Sequence, residues 1–351
     1  MLRLKQPLLL IIGSSHKEAN LNERETFSLD AGQLECLSND LIEQTVLKEC
    51  LILNTCNRLE LYAVIHEFAE IEKVHQSLCT HPMLKDSYFP KNNFIKKQSS
   101  AIEHCFALAS GLASQMLGET EILGQIKQAY QRAKAAGQTD AMLNRLFEKS
   151  FQAAKLIRSQ TGISRGQISV GTVAVHLANR IFGAIEKSRI LLIGSGEVSE
   201  KTAQALKNKG VSDITVSGRS KEKTDQLAEK FAAASIHFEN FKSQIQHFDI
   251  VISSTAAPNY IIDCPTIERS IAQRPNRPLF LIDLAVPRDI EARIADLDNV
   301  YLYNLDALAR IANENKAQRK REIEKATQIV KAQAWNFWLQ LNRRQMYELH
   351  Q

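Results

Sequence analysis

The segment RILLIGSGEVSEKTAQAL, residues 189–206, decides the fold of the second half of the chain. An apolar run ends at Ile193, glycines follow at 194 and 196, and good helix formers continue from Glu197. Gly194 permits a tight turn, and Gly196 lets the backbone approach a pyrophosphate at the helix N-terminus, where free N–H groups favour anions. This strand, glycine loop and helix predict a dinucleotide-binding site, and the alternative is an ordinary tight strand-to-helix turn.

The flanking sequence extends this prediction to a whole domain. Apolar runs alternate with helix-like stretches after the helical segment 169–183, and the runs lie at residues 189–193, 213–217, 249–253, 279–284 and 300–303. The alternation is typical of a doubly wound parallel sheet. We therefore predict a Rossmann-type domain over residues 163–304. Its phosphate-binding loop would consist of Gly194, Ser195, Gly196, Glu197, Val198 and Ser199.

The end of the second run indicates which dinucleotide binds. An NAD site would place Asp or Glu there for the ribose 2′-hydroxyl, whereas this chain has Gly218, Arg219 and Ser220. Arg219 can bond a 2′-phosphate in a bidentate fashion, and Ser220 can donate its hydroxyl. We predict NADPH, although Arg219 could instead belong to a solvated helix start. Residues 254–258 and 283–288, at the ends of the third and fourth runs, would face the nicotinamide or be ordinary loops.

Residues 1–162 are predicted to form a separate α+β domain. Short apolar runs alternate there with helix-like segments, and the runs lie at residues 8–12, 50–53 and 59–65. From residue 99 the pattern becomes helical. Beyond Asp306, apolar residues recur at Ile323, Val330 and Phe337, which predicts one long amphipathic helix over residues 305–351. The predicted fold class is multidomain α/β.

Composition limits the possible classes of protein. The 351 residues are 44% hydrophobic and 24% charged, and no stretch reaches the ~18 apolar residues of a membrane helix. The six cysteines have scattered spacings without a C-x-x-C, which predicts a reducing cytoplasm and no metal site. The net charge of +5 is compatible with a polyanionic partner and equally with simple solubility.

The segment LILNTCNRLELYA, residues 51–63, places one cysteine between two β arms. Cys56 lies among Thr55, Asn57 and Arg58, which supply hydrogen-bond donors, and the charge of Arg58 would favour a thiolate. The alternative is a structural Cys56, because lone intracellular cysteines are more often inert. A thiol nucleophile together with a hydride carrier predicts acyl-transfer redox chemistry, in which NADPH reduces a thioester to an aldehyde or the reverse.

Five segments together resemble the glutamyl-tRNA reductase family. They are TCNRLELY (55–62), GLASQMLGETEILGQIKQAY (111–130), GSGEVSEKTAQAL (194–206), DIVISSTAAP (249–258) and LIDLAVPRDIEARIADLDNVYLYNLDAL (281–308). The resemblance runs in order from Ser15 to the C-terminal helix and covers nearly the whole chain. It implies a cytoplasmic enzyme that reduces glutamyl-tRNA(Glu) to glutamate-1-semialdehyde with NADPH, the first step of the five-carbon route to tetrapyrroles.

The resemblance also implies roles for individual residues. Cys56 would attack the ester carbonyl of glutamyl-tRNA, and His104 would be important for activity. The residues around the substrate would be Thr55, Asn57, Arg58, Ser114, Glu119, Thr120, Glu121 and Gln125. The chain departs from the family pattern at Ala113, where an acidic residue is usual, and at Thr120 and Glu121, where the family has Pro and Gln. Contacts to the substrate are therefore expected to differ in detail.

The implied partners are tRNA(Glu) and the aminomutase that receives the unstable aldehyde. The family is homodimeric, but the sequence ends at Gln351, before most of the dimerisation domain, so we expect weak self-association.

The thiol and the nicotinamide lie in different domains, which predicts a hinge near residues 160–166 or at the long helix. The alternatives are an NADP-dependent dehydrogenase of a free small molecule and a non-catalytic regulator that binds nucleotide and RNA; the intact T-C-N-R argues against a regulator.

Overall fold

Two structural units divide the chain, and the first is built from both ends of the sequence. It comprises Met1–Gln167 and Asn315–Gln351, and the second unit comprises Ile168–Glu314. The structure, a computed structural model, describes residues 7–119, 121–163, 169–183, 185–275, 277–313 and 316–348. The three-domain division at residues 162 and 304 stays a prediction. The hinge predicted near residues 160–166 lies partly outside the described residues.

The first unit is an antiparallel sheet with helices on both faces. Its elements are β1 (Leu8–Ser15), α1 (Leu21–Glu25), α2 (Ala31–Gln44), β2 (Glu49–Thr55), β3 (Arg58–Ile65), α3 (Glu70–Thr80), β4 (Phe94–Lys97), α4 (Ser99–Ala109), α5 (Glu121–Ala135), α6 (Ala141–Gln160) and α12 (Lys316–Glu348). The strand order is β2-β3-β1-β4. The sequence pattern does not predict β4, because its four residues, FIKK, form a short edge strand with no apolar face.

Alternate residues of β1 enter two different cores. Leu9 and Ile11 pack with α4, α5, α6 and α12, whereas Leu10 and Ile12 pack with α2 and α3. Because both faces of the strand are covered, residues 8–12 form an uninterrupted apolar run rather than an alternating one.

The long helix α12 returns to the first unit and completes one of these cores. Its buried side chains there are Ala326, Val330, Ala334 and Phe337, and the ring of Phe337 lies 5.8 Å from that of Phe106 in α4. The apolar stripe predicted from the sequence is therefore covered within the chain. Helix α11 (Leu305–Asn313) belongs to the second unit, and because residues 314 and 315 lie outside the described residues, one helix over residues 305–351 stays a prediction.

The second unit is a doubly wound sheet of parallel strands. Its elements are α7 (Val170–Phe182), β5 (Ile190–Ile193), α8 (Glu197–Asn208), β6 (Ile214–Gly218), α9 (Lys221–Lys230), β7 (Ala234–His237), β8 (Ile250–Ser253), α10 (Cys264–Ala272), β9 (Leu279–Asp283), β10 (Val300–Asn304) and α11. The five predicted strands are confirmed. The sixth, β7, was missed because it is a short and largely exposed edge strand.

The strand order, β10-β9-β8-β5-β6-β7, identifies where a ligand of this sheet would lie. The chain starts at β5, winds outward through β6 and β7, and then crosses to β8 on the other side. Such sheets bind ligands at the carboxyl ends of the strands where the order reverses, which is between β5 and β8 here. No helix in the described ranges has both the length and the apolar character needed to cross a membrane.

Candidate active site

Cys56 occupies a tight turn at the end of the β2–β3 hairpin. Thr55 pairs with Arg58, so Cys56 and Asn57 alone connect the two strands. The backbone N–H of Asn57 donates to Thr55 Oγ1 (3.2 Å), and its carbonyl accepts from the N–H of His16 (2.9 Å). The turn is therefore fixed both from within the hairpin and from the end of β1, with the cysteine half-buried.

A fully buried carboxylate organises the face of β3 below this turn. Glu60 accepts hydrogen bonds from Arg58 Nη1 at 2.6 Å and from the hydroxyl of Tyr62 at 2.8 Å. His104 Nε2, on α4, lies 3.0 Å from Glu60 Oε2. The second guanidinium nitrogen of Arg58 donates to the carbonyl of Ala113 at 2.6 Å. Glu60 thus connects two predicted site residues, Arg58 and His104, which are far apart in sequence.

The surroundings of Glu60 keep it ionised. Burial alone would raise its pKa, but the charges of His104 and Arg58, with hydrogen bonds from His104 and Tyr62, hold the pKa of Glu60 below its usual range. Gly13, opposite Glu60 in β1, makes room for it, because a Cβ there would lie 2.6 Å from Glu60 Cγ. Sequence reasoning missed Glu60; the available signal was the R-x-E-x-Y alternation, which places three polar residues on one face of a buried strand.

The charges near Cys56 do not favour a thiolate in the unliganded protein. Burial, together with the carboxylates of Glu119 and Glu121, raises the pKa of Cys56 to about 12, and the charge of Arg24 acts against them. The expectation that Arg58 supplies the favourable charge is therefore wrong, because its guanidinium is engaged by Glu60 and by a backbone carbonyl. Arg24, a buried residue of α1, was not predicted.

Three buried polar atoms beside the turn have no hydrogen-bond partner within the described part of the chain: Asn57 Oδ1, Arg58 Nε and Ser114 Oγ. Arg58 and Ser114 are neighbours, because Arg58 bonds the carbonyl of the residue before Ser114. Most buried polar groups in proteins are paired, so three unpaired ones together indicate a place for a polar ligand.

The remaining predicted substrate residues follow the loop after α4. Glu119 is buried, and Glu121 and Gln125 are half-buried and four residues apart, hence on one face of α5. The effect of Glu119 and Glu121 on the thiol shows that both lie near it. Thr120 lies outside the described residues. No group of three His, Cys, Asp or Glu side chains in the described ranges could hold a metal ion.

We expect alkylation of Cys56 by iodoacetamide to accelerate with pH up to about pH 10 without a plateau, because the pKa of its thiol is near 12. Glu119→Gln should speed alkylation at a fixed pH, and Arg24→Gln should slow it. Mass spectrometry of the peptide that contains Cys56 provides the rate, and Glu35→Gln, an exposed substitution on α2, is the control. An inflection near pH 7 would show that the thiol is already activated.

The glycine loop of the second unit follows β5 at the switch point. Gly194 has φ +117°, and a Cβ there would lie 2.6 Å from the carbonyl oxygen of Ser254, so only glycine fits without strain. Gly196 is the N-cap of α8, and apart from its two neighbours in the chain no atom of the described residues lies within 4 Å of the position that a Cβ would take. Ser199 Oγ is 2.7 Å from Ser254 Oγ, which connects the start of α8 to the end of β8. The space in front of α8 is thus open on the side of Gly196.

Charged side chains of both signs line a small cavity at the ends of β6 and β7, with Asp225 and Glu239 as its acidic members. The cavity, of about 100 Å³, is lined by Arg219, Lys221 and His237 among others. Ser220 is the N-cap of α9, and its Oγ accepts from the N–H of Lys223 at 3.5 Å, which leaves the hydroxyl proton available to a ligand. Sequence reasoning missed His237, because it belongs to the unpredicted strand β7.

Two buried carboxylates hold the loops that follow β8 and β9. Asp289 accepts from Ser253 Oγ at 2.6 Å and from the N–H of Thr255 at 2.8 Å. Asp283 accepts from the N–H of Ile290 at 2.9 Å, and burial, with the charge of Asp289, raises its pKa to about 7. Residues 254–258 and 283–288, predicted to face a nicotinamide, are therefore ordered by side chains at the carboxyl edge of the sheet.

Comparison with known proteins assigns the two units. The family model described as glutamyl-tRNA(Glu) reductase, N-terminal domain, matches residues 12–161, and the model described as shikimate/quinate 5-dehydrogenase matches residues 176–311. The glutamyl-tRNA reductase of Syntrophus aciditrophicus is 38% identical over 336 residues, which cover 94% of this chain and 79% of that protein. The chain belongs to the glutamyl-tRNA reductase family.

Further members of the glutamyl-tRNA reductase family agree with this assignment. The glutamyl-tRNA reductase of Nitratidesulfovibrio vulgaris (strain Miyazaki F) is 38% identical over 339 residues, covering 94% of this chain and 75% of that protein. The solved glutamyl-tRNA reductase from Methanopyrus kandleri is 31% identical with a TM-score of 0.55, covering 97% of this chain and 82% of that one. The predicted enzyme class, an oxidoreductase of this family, and the predicted multidomain α/β fold are confirmed.

Proposed function

We propose that this chain reduces glutamyl-tRNA(Glu) to glutamate-1-semialdehyde with NADPH, through a thioester on Cys56. The observation that carries the proposal is the thiol in a fixed turn beside three buried polar atoms without partners. A merely structural cysteine would not need unpaired polar groups around it, whereas a nucleophile for a polar acyl group would.

The unpaired atoms match the polar groups of a glutamyl ester. Arg58 Nε can donate to a carboxylate, Asn57 Oδ1 can accept from an ammonium group, and Ser114 Oγ can do either. The α-ammonium group would also offset the charges of Glu119 and Glu121, which raise the pKa of Cys56 in the free protein. Substrate binding would therefore lower the pKa of the thiol and activate it only when an ester is present.

The chain's own residues account for the acyl transfer. The sulfur of Cys56 forms a bond to the ester carbonyl carbon, the bond to the tRNA 3′-oxygen breaks, and the thiol proton moves to that oxygen. His104, oriented by Glu60, is our candidate for the group that transfers this proton. NADPH, when bound, supplies the hydride that reduces the thioester carbonyl. The carbon–sulfur bond then breaks, and Cys56 regains a proton from solvent.

The second unit has features that fit NADPH. The open space at Gly196 suits a pyrophosphate at the start of α8. Arg219, Lys221 and His237 line a cavity that also contains Asp225 and Glu239, and at the end of β6, where an NAD site would have an acidic residue, Gly218 is followed by Arg219, which suits a 2′-phosphate. These residues would bind and orient the cofactor without taking part in the chemistry.

Arg219→Ala should weaken NADPH binding by roughly 10- to 100-fold while changing NADH binding little, because it removes a charge-assisted hydrogen bond of about 1.5–3 kcal/mol to the 2′-phosphate. Fluorescence titration of the reduced cofactors measures both affinities. Lys223→Ala, an exposed substitution on the same helix, is the matched control. An equal loss for both cofactors would mean that Arg219 does not contact the phosphate.

The test of the reaction itself is an assay with charged glutamyl-tRNA(Glu) and NADPH that follows formation of the semialdehyde. Turnover of glutamyl-tRNA but not of free glutamate or other small molecules would exclude the alternative of a small-molecule dehydrogenase.

In this proposal the protein acts in the cytoplasm, with tRNA(Glu) as the carrier of its substrate and an aminomutase as the acceptor of its product. Weak self-association stays a prediction, which sedimentation analysis can check.

A further inference from the structure

Two side chains of β4, Phe94 and Lys96, lie beside the proposed catalytic centre without a role in the mechanism above. The ring centroid of Phe94 is 5.3 Å from that of His104, with the planes at 56°. The ammonium group of Lys96 lies over the ring of Phe94, 5.3 Å from its centroid. Both residues are half-buried, and β4 is the outer strand of the sheet. The aromatic ring is thus accessible next to His104.

Phe94 packs against the core of the first unit, but core packing does not explain why Lys96 lies on the same face. The side chains of Phe94 and Lys96 lie on the more covered face of the strand. Ile95, the other apolar residue, lies on the opposite face and is 37% exposed. A strand selected only for burial would place isoleucine inside and lysine outside. The observed order places an aromatic ring and a cation side by side at the rim of the site.

The register of the sheet sets the distance from this pair to the thiol. Gly13 of β1 is opposite Glu60 of β3 on one side and Phe94 of β4 on the other. Phe94 is therefore two strand spacings from β3 and level with Glu60, which is four residues along the chain from Cys56. With strands about 4.8 Å apart and about 3.4 Å per residue, the Cα atoms of Phe94 and Cys56 are separated by roughly 17 Å. An ester bound at Cys56 would therefore have the last few nucleotides of its tRNA within reach of Phe94.

We infer that Phe94 stacks against an unpaired base at the 3′ end of the aminoacyl-tRNA and that Lys96 contacts a neighbouring phosphate. The inference rests on the proposed function, because it assumes that the ester bound at Cys56 is carried by tRNA. Proteins that bind single-stranded nucleic acid combine aromatic platforms with basic side chains in this way, since every base has a face that can stack. The competing interpretation is that Phe94 only packs against His104 and positions it.

Binding measurements with two forms of uncharged tRNA(Glu), intact and lacking its last three nucleotides, distinguish these interpretations. Phe94→Leu should weaken binding of intact tRNA about tenfold and leave binding of the shortened tRNA unchanged, because base stacking accounts for that range of affinity. Phe94→Tyr, which keeps the ring, should behave like wild type. Lys96→Gln should reduce the slope of log affinity against log salt by about one. NADPH affinity, unchanged in all variants, serves as the check on folding.

Phe94→Leu could instead weaken the binding of both tRNA forms equally, or lower kcat without changing tRNA affinity. Either result would overturn the proposed stacking on a base and leave Phe94 as a residue that positions His104. An unchanged salt slope in Lys96→Gln would overturn the phosphate contact, even if Phe94→Leu failed to fold. Wild-type protein that binds neither tRNA form and reduces no glutamyl-tRNA would refute the proposed function itself, which is a separate result from either of these.

Discussion

Replacing Cys56 by serine is expected to lower the rate of glutamyl-tRNA reduction by roughly a thousandfold or more, with NADPH and tRNA affinities little changed. A hydroxyl without a paired base is a far weaker nucleophile than a thiolate, and loss of a catalytic nucleophile typically has effects of this size or larger. Cys36→Ser removes a thiol that is exposed on α2 and serves as the matched control. Turnover of Cys56→Ser near the wild-type rate would leave Cys56 a structural residue.

The same substitution tests the order of the steps. If the thioester forms before hydride arrives, wild-type protein without NADPH should slowly hydrolyse glutamyl-tRNA, because water is then the only acceptor of the acyl group. Acid-quenched mass spectrometry should show a glutamyl adduct on the peptide that contains Cys56, and Cys56→Ser should show neither adduct nor hydrolysis. Direct attack of hydride on the ester predicts the opposite, since no covalent adduct could then form.

Replacing Glu60 by glutamine is expected to have the largest effect on stability, a loss of about 3–5 kcal/mol in the free energy of unfolding. It removes the carboxylate charge that pairs with Arg58 and His104, and so leaves a buried guanidinium without this counter-charge. Reductase activity should fall with it, because both side chains lose the bonds that orient them. Chemical denaturation measures the stability, and Glu103→Gln, an exposed substitution on α4, is the control.

The pH dependence of this effect has a definite sign. Because the pKa of Glu60 is lower in the folded protein than the ordinary value of about 4.3, its stabilising contribution is present above that value and is lost as pH falls through the folded pKa. The stability difference between wild type and Glu60→Gln should therefore be constant above about pH 5 and shrink below about pH 4. A difference that stays constant at low pH would show that Glu60 contributes by shape rather than by charge.

The parts of the fold that the sequence predicts are those with local signals. A glycine loop between a buried strand and a helix is visible in fewer than twenty residues, and so is a polar turn with one cysteine between two apolar arms. The edge strands β4 and β7 were missed because each has four partly or largely exposed residues, which gives no apolar periodicity. Local pattern thus identifies buried strands and special turns but not the strands at the borders of sheets.

The electrostatics of the site could not be predicted in this way. Glu60 acts on His104 from 44 positions away in the sequence, and Arg24 affects the pKa of Cys56 from helix α1. Arg58 is adjacent to the cysteine in the sequence, yet its guanidinium bonds elsewhere. The motif identifies the residues adjacent to the thiol in sequence, whereas Arg24 and the direction of each residue's effect on the pKa of Cys56 depend on the tertiary structure.

The return of α12 to the first unit has a consequence for synthesis on the ribosome. Roughly 150 residues separate the end of α6 from the start of α12. At about 5–20 residues per second, their translation takes roughly 8–30 s, during which the second unit can fold but α4 and α6 lack the side chains that cover them. The face around Phe106 stays open to water for that time, because Phe337 has not yet been made. The nascent chain should therefore be vulnerable to aggregation and to chaperone capture in its first unit, and the half that carries Cys56 should reach its native core only after α12 has been synthesised.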